Sequence, residues 1–400
     1  MKSKPYSSMR GSNGPIRNLD HLCTILDVER RVLDRVLAMP GSQRYALARS
    51  RAAKSDGSAR EVFNPCREVR RIQLKIVKRI LKVPGAVRWH DFLYGSMPNQ
   101  IDAHGNELKK DYVTCAAQHC DARSVLKIDI KDFFGNIHSD TIMRIWTELF
   151  GYPGDVAFVL TNLCLKDDNL PQGGITSSYL AMLCLFDLEA KTVATLRLKG
   201  LRYTRYVDDI TISSPLSNYD FELALALVRA MLISRALPIN ESKVKRVSLS
   251  TEAITVHGLR VNFETPRLPA AEVGRIRASV KTIELLAADT SFSSTPGFRK
   301  SFNKCMGRVN KLKRVGHSQH SKLLKRLQAV RPLPSRRDIK KAVASIRTLS
   351  AEFHSRGNTF GYRKRYYILM ERLNLIARSH KELAAMLRAH VKRIKPSYVD

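Results

Sequence analysis

The chain has 400 residues, 44% of them hydrophobic and 26% charged, a balance that reads as an ordinary globular protein of two or three packed units. Its 69 lysines and arginines against 36 aspartates and glutamates leave a formal charge of +33, and a field of that size selects polyanions, nucleic acid foremost. The basic N-terminus MKSKPYSSMRGSNGPIRNLD has no apolar segment after it, and YLAMLCLFDL from Tyr179 is about half the length a bilayer requires, so no signal peptide or membrane anchor is expected and the expected location is cytoplasmic.

The first sixteen or so residues are polar, rich in Gly and Ser, and expected to be disordered. Residues 18–39 then carry Leu22, Ile25, Leu26, Leu33, Val36 and Leu37 at helical spacing, with Pro40-Gly41 as the stop. KSDGSAREVFNPCREVRRIQLKIVKRILKVP, from Lys54, reads as a glycine-containing turn, a short strand near Val62 and a basic helix ending before Pro84. In SVLKIDIKDFF, Leu126, Ile128 and Ile130 alternate with Lys127, Asp129 and Lys131, which predicts a strand with Asp129 on its polar face. LPQGGITSSYLAMLCLFDLEAKTVATL gives a Pro/Gly loop and one long apolar helix, and LRYTRYVDDITISS gives two β-runs that form a hairpin with Asp208 and Asp209 at its tip. A helix over residues 219–235 and strands at KVKRVSL and ITVHGLRVNF complete an α+β block. Basic helices follow Pro269, and beyond RPLPSRRD a further set forms a C-terminal helical extension in which Leu369, Leu373, Ile376, Leu383, Leu387 and Val391 share one apolar face. The seven cysteines include no CxxC pair, which argues against a zinc site and a disulfide framework and for buried thiols.

The adjacent acids Asp208 and Asp209 are in conflict with their surroundings, because like charges repel and aspartate is poor in strands. If their hairpin pairs with the strand ending at Asp129, three carboxylates converge, and they stay ionised only beside a cation, for which oxygen ligands select hard ions such as Mg²⁺. Two such ions would activate a 3′-hydroxyl and stabilise a leaving pyrophosphate in phosphoryl transfer.

These residues also carry a family resemblance. YVDD (Tyr206 to Asp209) resembles the YxDD box of reverse transcriptases, DIKDFF (Asp129 to Phe134) their first palm motif, and LPQGGITSS (Leu170 to Ser178) the LPQGxxTSP motif between them. KSDGSAREVFNP is similar to the fingers pattern KxxGxxRxIxxP, CAAQH (Cys115 to His119) to the NAxxH element of retron-type enzymes, INESKVK to the NxKK segment, VHGLRVN to the VTGLxVN element and GRVNKLKRVGHSQHSKLLKRL to the thumb. The resemblance runs from about Asn18 to Leu327 and is to bacterial retron-type or defence-associated reverse transcriptases. Cys115 stands in place of the Asn of NAxxH, His257 of the Thr of VTG, and Ser178 of the Pro of LPQGxxTSP, while residues 96–112 look like an insertion. In retrons the first two elements are associated with recognising a structured RNA.

The resemblance implies a right-hand polymerase: N-terminal tail and helical segment 1–50, fingers 51–124, palm with antiparallel sheet 125–265, helical thumb 266–330 and basic helical extension 331–400. It makes Asp129, Asp208 and Asp209 the metal ligands, for two Mg²⁺ ions with Mn²⁺ as substitute, and Lys243 the group that protonates pyrophosphate. Nucleotide binding falls to Lys54 and Arg60 on the triphosphate, to Phe134 as a plate under the sugar, and to Asp132, Phe133, Gln172, Gly173 and Tyr206; Asp132 has the alternative of capping a helix that begins at Phe133. Arg308, Lys311, Lys313 and Arg314 would grip phosphates from the thumb, and Arg363, Lys364 and Arg365, interleaved with Phe360, Tyr366 and Tyr367, would bind single-stranded RNA. His119 and His257 are expected to be structural. The expected activity is copying of a cognate structured non-coding RNA, template and primer, into cDNA from deoxynucleoside triphosphates, in an anti-phage system with a possible effector protein and no membrane partner. The alternatives are a template-independent or protein-primed DNA polymerase and a non-catalytic maturase-like RNA-binding protein.

Overall fold

The alternation around Asp129 sets the architecture, because burying Leu126 and Ile128 on one side commits that strand to a two-sided sheet. In the computed structural model, which describes residues 9–11, 14–48, 61–101 and 104–397, the chain divides into two units, Met1–Pro266 and Arg267–Asp400.

The first unit opens with helices α1 (Leu19–Leu26), α2 (Arg30–Ala38) and α3 (Gly41–Arg44), then strands β1 (Tyr45–Leu47) and β2 (Phe63–Pro65) as an antiparallel pair. Helix α4 (Arg67–Ile76) continues as a π-helical turn through Val77–Leu81. Strand β3 (Leu93–Tyr94), a small hairpin of β4 (Gln100–Ile101) and β5 (Glu107–Leu108), and helix α5 (Tyr112–Ala117) lead to β6 (Ser124–Asp129). Helices α6 (Ser139–Arg144), α7 (Gly154–Cys164), α8 (Ser177–Leu183) and α9 (Glu189–Leu198) precede the hairpin β7 (Arg202–Tyr206) and β8 (Asp209–Ser214). Helix α10 (Glu222–Ile233), β9 (Lys245–Ser248) and the two-stranded β10 (Thr255–Val256) and β11 (Leu259–Arg260) close the unit. The main sheet has the order β3-β7-β8-β6-β9, antiparallel except where β3 runs parallel to β7. Its back face, with Leu126, Ile128, Tyr203, Ile210 and Ile212, joins the core built by α1, α2, α4 and α6 to α10.

The second unit holds two hydrophobic clusters. Helices α11 (Ala270–Ala287), α12 (Thr290–Ser293), α13 (Pro296–Arg314) and α14 (His320–Ala329) surround Ile276, Val280, Phe298 and Val309. Helices α15 (Arg336–Arg356), α16 (Phe360–Ile376) and α17 (Lys381–Lys392) surround Tyr362, Leu369, Leu373, Ile376 and Val391, as the apolar spacing of α16 and α17 predicts. Tyr362 donates its hydroxyl to the Ile394 carbonyl at 2.8 Å, which satisfies the only polar atom of that buried side chain.

Three expectations are corrected. Residues 18–39 are two helices, because Asp27 adopts a left-handed φ of 50° and its carboxylate accepts from Lys75 at 3.0 Å. The run after the LPQGG loop is also two helices, broken over residues 184–188. Met9 and Ile16 in the N-terminal stretch are buried, and the Arg88 N–H donates to the Met9 carbonyl at 2.9 Å; residues 1–8 and 12–13, included in the expected disorder, lie outside the described residues. All seven cysteines are free, five of them buried.

Asp338 is the N3 residue of a capping box with Ser335 at the start of α15 and pairs with Arg299 of α13 at 2.8 Å, so it ties the two clusters of the unit together. Burial alone would push its pKa up, but the Arg299 guanidinium and the Ser335 donors outweigh that and bring it from 3.8 down to about 2. A folded pKa below the unfolded one contributes stability that is present above about pH 4 and is lost as pH falls toward 2. Asp338→Asn should abolish that acid limb and lower unfolding stability at neutral pH by on the order of 2 kcal/mol, read by urea titration at stepped pH; an unchanged acid limb would assign it to other carboxylates.

Candidate active site

Asp129 ends β6 and Asp209 begins β8, and the antiparallel register places the two directly opposite one another. Asp208 lies in the two-residue loop between β7 and β8, its carbonyl accepting from the Ile130 N–H at 3.1 Å. Backbone hydrogen bonds therefore hold the three acids together against their repulsion. Burial, then the charges of Asp208 and Asp129, push the Asp209 pKa up to about 6, with Lys243 and Lys127 acting against the rise. Lys243 Nζ donates to Asp129 Oδ2 at 3.0 Å, and Asn240 donates to the same residue through its side chain at 3.3 Å and its backbone N–H at 2.8 Å.

Among the described residues no group of three or more His, Cys, Asp and Glu side chains is arranged to hold a metal ion by itself. The acids instead form an open cluster of hard oxygen donors in which one anion is destabilised by the other two. That donor set fits a divalent cation of the Mg²⁺ kind, which takes one or two carboxylates and fills its remaining positions with water and phosphate oxygens.

The loop carrying Asp208 is strained. Val207 has a φ of 60° and Asp208 a negative one, the sign pattern of a type II′ turn, whose first position favours glycine. A β-branched residue there persists only if its surroundings over-determine it. Two contacts do so. Gly95, at a φ of 101°, abuts the Val207 side chain so closely that a Cβ would sit 2.9 Å from Cγ2. From the back face, Arg205 Nη1 donates to the Val207 carbonyl at 3.2 Å. Arg205 is fully buried and is itself held by Glu189 of α9 through two bonds of 2.7 Å, by the Met182 carbonyl at 2.8 Å, and by proximity to Tyr203, whose hydroxyl donates to Glu189 at 2.8 Å. Sequence reasoning assigned no role to Glu189, Arg205 or Asn240; the signal for Glu189 was that, with Asp187, it ends an apolar run.

The other expected residues divide. Phe133 is buried and Phe134 half-buried, with their rings edge-to-face at 5.8 Å. No helix begins at Phe133: Asp132 stands exposed in a turn at a φ of 45°, with its carbonyl accepting from the Asn136 N–H at 3.1 Å, because the left-handed residue ends regular winding there. The Gln172 carbonyl accepts from the Phe63 N–H at 2.8 Å, and a Cβ on Gly173 would sit 2.4 Å from the Phe63 carbonyl. A close approach to β2 thus requires a glycine at this position. Lys54 and Arg60 lie outside the described residues. His119 is fully buried and bonded to Thr204 and Ser213, a structural placement. In the second unit Arg308 donates to Ser279 at 2.6 Å, Lys311 to Glu272 at 3.3 Å and Arg365 to Glu352, while Lys313, Arg314 and Lys364 are exposed. Arg363 lies over the Tyr367 ring at 5.9 Å; Tyr366 is buried, whereas Phe360 and Tyr367 are about half exposed, at 48% and 51%.

The family model Reverse transcriptase (RNA-dependent DNA polymerase) matches residues 52–286. The chain is 41% identical to the retron Ec48 reverse transcriptase of Escherichia coli over 99% of its length and 96% of that protein's. It is 29% identical to the retron Se72 reverse transcriptase of Salmonella heidelberg, over 97% and 98% of the two chains. Among solved structures, telomerase from Candida albicans with a telomeric RNA fragment is similar at a TM-score of 0.32 and 12% identity, over 67% of this chain and 49% of that one.

Removing one partner of a buried ion pair strands the other charge. Glu189→Gln should lower unfolding stability by about 3–5 kcal/mol and reduce DNA synthesis by the folded fraction, read by urea titration and primer extension, whereas Arg205→Met with Glu189→Leu should recover most of the stability but not the activity. Full activity in that double variant would remove Arg205 from any part in holding the turn.

Proposed function

The chain belongs to the reverse transcriptase family, as a retron-type RNA-directed DNA polymerase with the right-hand fold of that family, and on that premise we propose that Asp129, Asp208 and Asp209 are its metal ligands. Reverse transcriptases use divalent metal ions, and the ions proposed here are two Mg²⁺. When bound, they supply a lowered pKa for the primer hydroxyl and charge neutralisation for the leaving pyrophosphate. What supports the reading is the in-register opposition of Asp129 and Asp209 with Asp208 pinned beside them.

The protein's own groups have separable tasks. The strand pairing keeps the carboxylates at fixed separation before any ligand arrives, so no reorganisation is needed at the moment of reaction. Lys243, 3.0 Å from Asp129, is a cation already at the site and is placed to hold a proton for pyrophosphate. Phe134, half-buried on the flank of Asp129, is the proposed plate under the sugar, where its ring would meet a 2′-hydroxyl. Asp132, Phe133, Gln172, Gly173 and Tyr206 complete the proposed nucleotide site. The five-stranded sheet with its helices is assigned to the palm, with β3 contributed from the fingers segment 51–124. Residues 266–330 are assigned to the thumb and 331–400 to an additional RNA-binding unit, with the exposed Lys313, Arg314 and Lys364 toward phosphates.

Retron reverse transcriptases act with a non-coding RNA, and the reading here is that such an RNA is both template and primer and that deoxynucleoside triphosphates are the substrates. Defence against phage with an effector protein is the biological setting proposed from the family. Sequencing RNA and DNA bound to the protein purified from its host tests the core of this: a DNA strand complementary to the bound RNA is expected, and DNA unrelated to it would point to template-independent synthesis.

Asp208→Asn should reduce primer extension by about 10²–10³-fold or more while leaving RNA affinity, and its roughly 10³-fold fall between 50 and 200 mM salt, unchanged. Retained extension would move the metal site elsewhere. Phe134→Ala should raise incorporation of ribonucleotides relative to deoxynucleotides by about tenfold, measured in single-nucleotide extension; equal discrimination in both proteins would take Phe134 out of sugar selection.

A further inference from the structure

Cys115 and His257 are 142 positions apart, and each departs from the family pattern at its own element; in the structure they touch, with Cys115 Sγ 3.3 Å from His257 Nε2. The contact is one link in a buried polar chain. Cys115 Sγ also lies 3.3 Å from Thr204 Oγ1, which is 2.7 Å from His119 Nε2, and His119 Nδ1 is 2.7 Å from Ser213 Oγ. Thr204 belongs to β7 and Ser213 to β8, so the chain spans the front face of the hairpin that carries Asp208 and Asp209.

Burial pushes the Cys115 thiol up to about 12, and burial followed by Lys127 brings His257 down to about 4. The pair is therefore a neutral thiol against a neutral imidazole. It is not an activated nucleophile, and an exposed RNA contact is excluded for Cys115 and His119, which are fully buried.

His257 reaches this position at a price in backbone strain. It has a φ of 47° and Gly258 one of 77°, the sign pattern of a type I′ turn between β10 and β11, where Asn, Asp or Gly is preferred at the first position. Its ring then packs on Tyr206 with centroids 4.7 Å apart, and Tyr206 is the residue immediately before the strained Val207. An imidazole that is unfavourable for its own turn but bonded on one side and packed on the other is held there by those contacts.

We propose that Cys115 and His257 act as one positioning unit: the thiol fixes the imidazole, and the imidazole fixes the Tyr206 ring and so the floor of the deoxynucleotide site beside Asp208. This rests on the assignment of Asp129, Asp208 and Asp209 as the metal site. Neither residue is assigned a catalytic role; both act through Tyr206.

The test is a double-mutant cycle with Cys115→Ala, His257→Ala and the combined variant, reading KM for deoxynucleotide, kcat and thermal unfolding on one primed RNA. Each single variant should raise KM by about tenfold with kcat within about twofold, and the double should be no worse than the poorer single, because the second change removes a contact already lost. Cys115→Ser, which keeps a donor, should recover most of the KM. Losses that multiply in the double, or a lower unfolding midpoint with KM unchanged, would overturn the proposal. If the alanine variants fail to fold, Cys115→Val against His257→Asn carries the same cycle with the same outcomes. Asp208→Asn is run beside them: an active Asp208→Asn would sink the metal-site reading, whereas multiplying losses beside an inactive Asp208→Asn would sink only the positioning unit.

Discussion

Asp129, Asp208 and Asp209 are held beside one another although the first two raise the energy of the Asp209 anion, and the main-chain hydrogen bonds of one antiparallel register do this. Pairing of Asp129 with Asp209, continued by Ile128 with Ile210 and Leu126 with Ile212, ties the placement of the acids to burial of the strand interior. A slip of one residue would turn Ile128 and Ile210 out of the core and bring the acids into it, so the hydrophobic side of the sheet enforces the charged side. The repulsion is thereby met by the burial of the whole strand pair and not by any single contact at the site.

The hairpin bearing Asp208 is braced differently on its two faces, and the difference follows from what each face packs against. Behind it lies the large apolar core, where the Arg205 charge is tolerable only because Glu189, Tyr203 and the Met182 carbonyl satisfy it. In front lie α5 and the β10–β11 turn, and there the buried polar atoms of Thr204 and Ser213 are met by neutral partners, His119 and Cys115. A charged group on the front face would add directly to the field at the acids, while neutral groups leave that field to Lys243, Lys127 and whatever ion is bound. Rigidity is supplied on both sides, by a buried ion pair behind the hairpin and by neutral hydrogen-bonding groups in front.

Much of the site was legible in the sequence because it is local: the alternation before Asp129, the hairpin around Val207 and Asp208, and the glycine of LPQGG are each read within a dozen residues. What was not legible is long-range. Nothing near Glu189 says that it meets Arg205 across a helix-to-strand packing, and Cys115 and His257 read separately as two departures from a pattern until the fold brings them together. Local reasoning also overextended helices. Residues 18–39 keep helical periodicity through Asp27, but Lys75, far along the chain, stabilises a left-handed residue there and propensity yields to it. Gly173 was found for its missing side chain, and its close approach to the Phe63 carbonyl is a contact that the local sequence does not announce.

The same comparison explains how acids of the site differ from acids that only hold the fold. Glu148, Glu189, Glu284, Asp338 and Glu352 each face an arginine fork, with bonds of 2.6–2.8 Å at Glu148, Glu189 and Glu284. A guanidinium binds a carboxylate through two parallel donors in one plane and is displaced only at the loss of both. Asp129 is met instead by a lysine that is half exposed, and the burial of Asp209 is relieved only by Lys243 and Lys127. An ammonium group is a hydrated point charge on a flexible stem, so it holds a carboxylate less firmly than a guanidinium fork does. In a chain this rich in arginine, the cations that act on Asp129 and Asp209 are the lysines Lys243 and Lys127, which leaves these carboxylates more open to the proposed metal ions than an arginine fork would.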